Sequence, residues 1–254
     1  MVTDLAGKAS LAGGGALTIL AEIDADARVV LEAGARLVVI HLRSGEEYSL
    51  AGPAQAQFGR DSVQGLSGAK PVRRAGPLAK GGAEVRIRPG AVAQAAFVMR
   101  SIRSGNRIRL LALSGTRTLE ETPVFRWEAP APGLKYRFEL SDEGGRVLVE
   151  AQVEGTAFTP PALRLREGAS YTWEVSAQQE GQRHVGVGDF SVASAELRAR
   201  AAALRPAPAA PVSARVAYAA WLSQMELRDE ARKYWRALAA ERPEDAGLRA
   251  LARQ

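Results

Sequence analysis

Residues 134–140 of the chain, LKYRFEL, alternate strictly between apolar and charged side chains. This period of two is the pattern of a β-strand with one face buried and the other face in water. Similar short segments recur at spacings of about ten residues, with turn-forming residues between them. They read FRW, RVLVEAQV, YTWEV and GDFSV. We therefore predict an antiparallel β-sandwich over residues 118–193.

The order of aromatic and turn residues in this region resembles a fibronectin type III or related immunoglobulin-like domain. The residues that carry the resemblance are Pro123, Trp127, Tyr136, Leu165, Gly168, Tyr171, Trp173 and Phe190. In that family a tyrosine corner forms when the Tyr hydroxyl bonds back to the backbone near the bend. The resemblance implies that Tyr171 and Trp173 face the core and do not form a surface for ligands. Glu167 stands where the family usually has Pro.

The first region, residues 1–117, combines short strands rich in Val, Ile and Leu with a basic, loop-rich second half. The apolar run 37–42 predicts a strand covered on both faces, and Ser44-Gly45 predicts a tight turn after it. Segments 84–88 and 106–115 predict further strands. The stretch GARLVVIHLRSGEEYSLAGP resembles the periplasmic module of FecR-type regulators. The resemblance predicts a FecR-like β domain, although the regulators' anti-sigma segment and membrane helix are not seen in this sequence.

The third region, residues 194–254, predicts helices. An Ala-rich segment precedes the Pro-rich spacer PAPAAPVS, and the two segments after the spacer resemble one tetratricopeptide unit. A lone unit of this kind does not bury its own apolar face, so the hairpin must dock on the sandwich or on another protein. Trp221, Tyr234 and Trp235 would bind a protein partner if they were exposed; the alternative is that they pack in a core. The whole chain is thus predicted to be mainly β with an α-helical C-terminus.

Positive charge is concentrated between residues 60 and 117, a segment that contains twelve Lys or Arg residues and only two Asp or Glu residues. Such an excess steers acidic partners toward a surface, although it is also compatible with a solvated face that binds nothing specific. We predict that it binds an anionic surface or a partner protein. The candidate residues are Arg73, Arg74, Arg86, Arg88, Arg100, Arg103, Arg107 and Arg109. Aromatic residues for base stacking are limited to Phe97, which argues against nucleic acid.

The sequence shows little sign of catalytic chemistry. It contains no Cys, and its two His, His41 and His184, lack the spacing of a metal site. We expect His41 to be a hydrogen-bonded structural residue. Phosphate-binding, dinucleotide-binding and nucleophile-elbow motifs are missing from the sequence as well. We therefore expect no catalytic residue, no cofactor, no metal and no small-molecule substrate.

These observations favour a non-enzymatic protein-interaction or scaffold module of the bacterial envelope. One alternative is a FecR-type sensory or regulatory component of a signalling or transport system, and another is a nucleic-acid-binding protein that uses residues 60–117. No stretch approaches the roughly 18 apolar residues of a membrane span. The first residues, MVTDLAGKAS, lack the pattern of a secretory leader. We expect a periplasmic protein if a leader has been removed, and a cytoplasmic one if the chain is complete.

Overall fold

The computed structural model describes residues 1–78 and 107–253. It is mainly β, with 37% strand, 20% helix, predominantly antiparallel sheets and C-terminal helices. The predicted class, mainly β with an α-helical C-terminus, is confirmed. The described residues divide into two compact units. Unit 1 comprises residues 1–78, 200–224 and 230–253, and unit 2 comprises residues 107–199 and 225–229.

Unit 1 contains two four-stranded antiparallel sheets. Its strands are β1 (Val2–Ala6), β2 (Ala9–Leu11), β3 (Arg28–Leu31), β4 (Arg36–Ile40), β5 (Glu47–Ala51), β6 (Ala54–Phe58), β7 (Val63–Gly68) and β8 (Val72–Arg74). The first sheet has the order β1-β4-β5-β8 and the second β2-β3-β6-β7. Apolar side chains of both sheets form one core, in which Val29 and Ala56 of the second sheet join Val2, Leu37 and Leu50 of the first.

Strand β4 is buried on both of its faces, as its continuous apolar sequence predicted. Leu37 and Val39 belong to the core between the sheets, whereas Val38 and Ile40 alternate with them and are also buried. Helix α2 (Val212–Gln224) contacts β1 and β4. The second face of the sheet is therefore covered by a helix. This cover explains why β4 has apolar side chains on both of its faces.

Four helices lie in the C-terminal part of the described chain: α1 (Ala195–Leu204), α2, α3 (Arg228–Glu241) and α4 (Ala246–Ala252). Tyr218 on α2 stacks on Trp221 with ring centroids 5.8 Å apart and meets Tyr234 of α3 edge-on at 5.1 Å. The Tyr218 hydroxyl donates a 2.8 Å hydrogen bond to the carbonyl of Ala201. The helical residues of unit 1 thus pack through an aromatic cluster whose polar group is satisfied.

A buried carboxylate attaches the end of α3 to β1 within unit 1. Asp4 is 3% exposed, and its Oδ1 lies 2.6 Å from Nη1 of Arg242, while its Oδ2 lies 2.7 Å from Nη2 of Arg36. Arg242 also donates a 3.2 Å hydrogen bond to the carbonyl of Leu5. Since an unpaired buried charge is strongly destabilising, the two arginines compensate the carboxylate of Asp4 inside the unit.

Unit 2 contains a five-stranded sheet and a two-stranded sheet. Its strands are β9 (Thr116–Thr118), β10 (Phe125–Arg126), β11 (Lys135–Asp142), β12 (Val147–Glu154), β13 (Ala157–Phe158), β14 (Ser170–Gln179) and β15 (Gln182–Val192). The large sheet has the order β12-β11-β14-β15-β9, and β10 pairs with β13. Pairing is antiparallel except between β9 and β15.

The period of two predicted for β11 is observed. Tyr136, Phe138 and Leu140 are at most 1% exposed, whereas Lys135 and Arg137 are exposed on the other face. The core of unit 2 is aromatic and includes edge-on contacts of Phe125 with Phe138, Trp173 and Phe190, as well as the stacked pair Tyr171 and Phe190. Tyr171 and Trp173 therefore face inward, as predicted.

Residues 107–117, which the sequence grouped with the first region, lie in unit 2. Ile108 and Leu113 belong to its core, and Nε1 of Trp173 donates a 2.7 Å hydrogen bond to the carbonyl of Leu113. The strand predicted at 106–115 is wrong for the described residues 107–115, which form only isolated bridges at Arg107 and Leu110. The positive φ of Leu113, 56°, interrupts the extended backbone that a strand requires. The strand predicted at 84–88 lies outside the described residues.

Candidate functional site

Candidate metal-binding and catalytic side chains were sought first among the residues that the structure describes. Within residues 1–78 and 107–253, no three His, Asp or Glu side chains come together as a metal site. His41 is a hydrogen-bonded structural residue, as predicted. Its Nε2 lies 3.3 Å from the carbonyl oxygen of Gly59, and its Nδ1 accepts a 3.4 Å hydrogen bond from the backbone N–H of Ser44. These contacts fix the turn that follows β4.

The outer face of the large sheet in unit 2 carries an open depression lined by Lys135, Arg137, Gln152, Ser176 and Arg183. Each of the three cations there has a carboxylate partner. The ion-pair distances are 3.0 Å for Lys135 and Glu154, 3.1 Å for Arg137 and Glu150, and 2.6 Å for Arg183 and Glu174. The charges of this surface are balanced internally, so it offers no excess charge to a ligand.

A second surface, in unit 1, is exposed over eleven consecutive residues with few interruptions. We define the basic edge as residues 64–74, which comprise most of β7, the connection 69–71 and β8. Among the described residues, both strands lie at the edge of their sheets. Leu66 is 46% exposed and Val72 is 51% exposed, while Lys70, Arg73 and Arg74 provide positive charge. The basic edge thus combines exposed apolar side chains with cations, which is the composition of an interaction surface.

Local backbone features explain why Leu66 projects outward. The pairing of β7 with β6 shifts between Ser67 and Gly65, which leaves Leu66 as the extra residue of a β-bulge. A Cβ on Gly65 would lie 3.0 Å from the ring Cδ of Pro71, so the connection 69–71 folds closely over this glycine. The bulge and the close approach together place Leu66, Lys70 and Val72 in one exposed stretch of chain.

Arg73 is the member of the basic edge with a definite internal partner. Its guanidinium forms a very short ion pair with Oε1 of Glu46, and Oε2 of Glu46 accepts a 3.2 Å hydrogen bond from the Tyr48 hydroxyl. The hydrogen bond from Arg73 holds the pKa of Glu46 below its ordinary value. Burial, reinforced by Glu46, raises the pKa of Tyr48. Arg73 therefore fixes β8 to β5 and is less available to an external anion.

Lys70 and Arg74 differ from Arg73, since neither has an ion-pair partner among the residues that the structure describes. Of the other predicted cations, Arg107 and Arg109 are exposed in unit 2, where Arg109 lies 3.4 Å from Glu128. Arg86, Arg88, Arg100 and Arg103 lie outside the described residues. Of the predicted cations, Arg73 and Arg74 are the ones that the structure describes in unit 1, and Lys70, which was not among the predicted site residues, lies near them in sequence.

The partner-binding role of the helical aromatics was predicted only if they were exposed, and the two tryptophans are buried, which is the core-packing alternative. Trp221 is 2% exposed and Trp235 is 3% exposed, and Tyr234 is half-buried beside Tyr218. The indole N–H of Trp235 donates a 3.4 Å hydrogen bond to the Ser223 hydroxyl. Because the helices of unit 1 pack together and α2 contacts β1 and β4, these rings belong to the interior and do not offer a binding surface.

Leu66 and Val72 were not among the predicted site residues. The sequence around them, GLSGAKPV, contains Gly, Ser and Pro and was read as part of a loop-rich segment. A bulged edge strand has no distinct single-sequence pattern, because its exposed apolar residue resembles any apolar residue of a loop. Only the pairing of β7 with β6 and of β8 with β5 reveals the edge.

No protein-family model matches the chain, and no curated protein is significantly similar to it. In the part of the chain that the structure describes, none of the helices has the length and apolar character needed to cross a lipid bilayer.

Proposed function

We propose that the chain is a non-enzymatic interaction or scaffold module of the bacterial envelope, and that the basic edge binds an acidic segment of a partner protein. The observation that carries the proposal is that exposed Leu66 and Val72 lie close in sequence to the cations Lys70 and Arg74. These residues belong to two consecutive strands of different sheets and to the connection between them. An exposed strand edge presents backbone groups that an extended peptide satisfies by adding a strand. Cations beside such an edge favour an acidic peptide through complementary charge.

The basic edge combines exposed apolar side chains with few uncompensated cations. This combination favours a protein partner over an anionic membrane or cell-wall surface. Arg73 is occupied by Glu46, and Arg74 lies opposite Glu47 in the β5–β8 register, so local charge is only moderately positive. Electrostatic attachment to anionic lipid depends on several uncompensated cations, each contributing about 1 kcal/mol. Apolar side chains flanked by one or two cations suit the core and rim of a protein interface better.

The family resemblances enter the proposal as well. Unit 2 is proposed to be a fibronectin type III or immunoglobulin-like domain, which is supported by its aromatic core and by the hydrogen bond that Tyr171 accepts near Gly168. The first β region is proposed to be FecR-like on the basis of its short strands and the Gly45 turn. A periplasmic location goes with this resemblance. A FecR-type sensory role is the alternative, and a partner anchored in the membrane would favour it.

Charge reversal tests the proposed surface. We would compare affinity capture from cells that naturally make the protein, using the wild type, Lys70→Glu/Arg74→Glu and a matched control, Arg236→Glu/Arg249→Glu. The control alters the same net charge at exposed helical positions of the same unit. We expect a partner that is captured by the wild type and the control and is lost from Lys70→Glu/Arg74→Glu. Equal capture by all three proteins would show that the basic edge does not bind it.

A further inference from the structure

Strand β12 forms the free edge of the five-stranded sheet in unit 2. It spans eight residues, Val147–Glu154, and among the described residues it pairs only with β11. One side of its backbone is therefore left without a strand neighbour in the described structure, which is the arrangement that another chain satisfies by strand addition.

The inner face of β12 is also incompletely covered. Val149 and Ala151 pack against the core of unit 2 but remain half-exposed, unlike the fully buried Phe138 and Leu140 of the adjacent strand. The two-stranded sheet has only two residues in each strand, and its Phe125 and Phe158 rings contact aromatic residues of β11, β14 and β15. Val153 of β12 is buried, whereas Val149 and Ala151 stay half-exposed, and these two residues form an apolar strip along the edge.

We propose that this edge pairs with the β12 edge of a second copy of the chain, antiparallel and centred on Ala151. In that register Ala151 faces Ala151 of the second copy, Val149 faces Val153, and Glu150 faces Gln152. Side chains opposite each other share a face, so over residues 149–153 the apolar residues meet on the inner side and the polar residues on the outer side. The continuous sheet covers the apolar strip of both copies.

Charge selects this register over its neighbours. If the centre of the pairing moves from Ala151 to Glu150, the two Glu150 side chains lie opposite each other. If it moves to Gln152, Glu150 of each copy lies opposite Glu154 of the other copy. Like charges directly opposite each other on a sheet are destabilising. Each of these moves shifts one strand by two residues relative to the other. A shift by one residue would place the inner face of one strand beside the outer face of the other. The register centred on Ala151 avoids both Glu–Glu arrangements.

Substitutions at Gln152 test the charge argument, because its side chain is exposed. Sedimentation equilibrium of the full chain should show a reversible dimer. We expect Gln152→Glu to raise the dimer Kd about tenfold through two new Glu–Glu contacts, and Gln152→Lys to lower it by a similar factor. Arg137 lies opposite Gln152 within the same sheet. The free energy of unfolding should therefore rise with Gln152→Glu and fall with Gln152→Lys, the reverse of the effect on dimer affinity. Thr172→Glu and Thr172→Lys, on β14, serve as controls that leave the Kd unchanged.

Disulfide formation tests the register itself. The chain contains no Cys, so a single introduced Cys forms only intermolecular disulfides. Directly opposite Cα atoms on antiparallel strands are about 4.5–5.5 Å apart, within the range of a disulfide, whereas diagonal neighbours are about 7–8 Å apart. Ala151→Cys should therefore oxidise to a dimer much faster than Glu150→Cys or Thr172→Cys. A monomeric wild type at millimolar concentration, equal Kd values for the two Gln152 variants, or equal oxidation rates would overturn the proposal.

Discussion

The hydroxyl oxygen of Tyr171 accepts a 2.8 Å hydrogen bond from the backbone N–H of Arg166, five residues earlier in the chain. Gly168 between them has a φ of 72°, a conformation that glycine adopts without the strain of a side chain. The ring of Tyr171 is buried and stacks on Phe190 at 5.6 Å. The bond closes the bend before β14 and links it to the core of unit 2.

Replacing this tyrosine should destabilise unit 2. We expect Tyr171→Phe to lower the free energy of unfolding by about 1–2 kcal/mol, because the N–H of Arg166 loses its partner while the ring stays in place. Urea denaturation followed by tryptophan fluorescence measures the change. Tyr136→Phe is the comparison, since the buried Tyr136 hydroxyl interacts with the Trp127 side chain but makes no hydrogen bond within the usual distance and angle limits among the described residues. Removing that hydroxyl should cost less than removing the Tyr171 hydroxyl, and equal losses for both variants would contradict the role of the Tyr171 bond.

The ion pairs of Asp4 should be strongly coupled to the folding of unit 1. We expect Asp4→Asn to cost about 3 kcal/mol, because Arg242 is largely buried and loses its counter-charge. A double-mutant cycle with Arg242→Gln should give a larger coupling energy than a cycle with Arg36→Gln. The side chain of Arg36 is 57% exposed, so solvent screens its interaction with Asp4. Equal coupling energies in the two cycles would show that burial does not strengthen the contact with Arg242.

The amino group of Met1 predicts a pH dependence of stability, provided that it is free in the protein tested. Burial lowers the pKa of this amine from 8.0 to about 6, and it donates a 2.9 Å hydrogen bond to the carbonyl of Ile40. Between these two values the unfolded chain binds more protons than the folded chain. Stability should therefore rise with pH, by roughly 2–3 kcal/mol from pH 6 to pH 8. The contribution is complete above pH 8 and is lost as the pH falls through 6.

Nuclear magnetic resonance observes the Met1 amine directly and so identifies the group responsible. With ¹³C at Cα of Met1, the chemical shift of the folded protein should change with a midpoint near pH 6. Urea unfolding at several pH values then measures the linked change in stability. A midpoint near pH 8 would mean that the amine is solvated.

The helical aromatics should behave as core residues. We expect Trp221→Ala to lower the free energy of unfolding by about 3–5 kcal/mol, because it removes a ring that is 2% exposed and stacked on Tyr218. Thermal unfolding measures this loss. Unchanged stability together with loss of partner capture would instead support the partner-binding role that the sequence suggested.

The sequence predicted most reliably where one physical pattern determines the outcome. Alternation in residues 134–140 determines which side chains of β11 are buried, and the apolar run of β4 requires cover on both faces. The position of Tyr171 follows from a local bend and a short hydrogen bond. These features depend on neighbouring residues, so they can be read from a single chain.

The remainder depends on which distant segments meet. Helix α2 contacts β1 and β4, and the segment 107–117 contributes Ile108 and Leu113 to the core of unit 2. Neither relationship has a local sequence signal, because helix periodicity does not name the surface that a helix covers. The candidate surface was located only in part, since Arg73 and Arg74 were predicted from charge whereas Leu66 and Val72 emerge from strand pairing.

Site-specific photo-crosslinking from residue 72 tests whether a partner protein binds at the basic edge. A photoreactive amino acid replaces Val72 in cells that naturally make the protein, and a second protein carries it at Val187 of unit 2; both valines are 51% exposed. Binding of a partner protein at the basic edge predicts one defined protein adduct from residue 72 that is not formed from residue 187 and disappears with Lys70→Glu/Arg74→Glu. The same adducts from both positions, or only lipid or no adduct from residue 72, would contradict that claim.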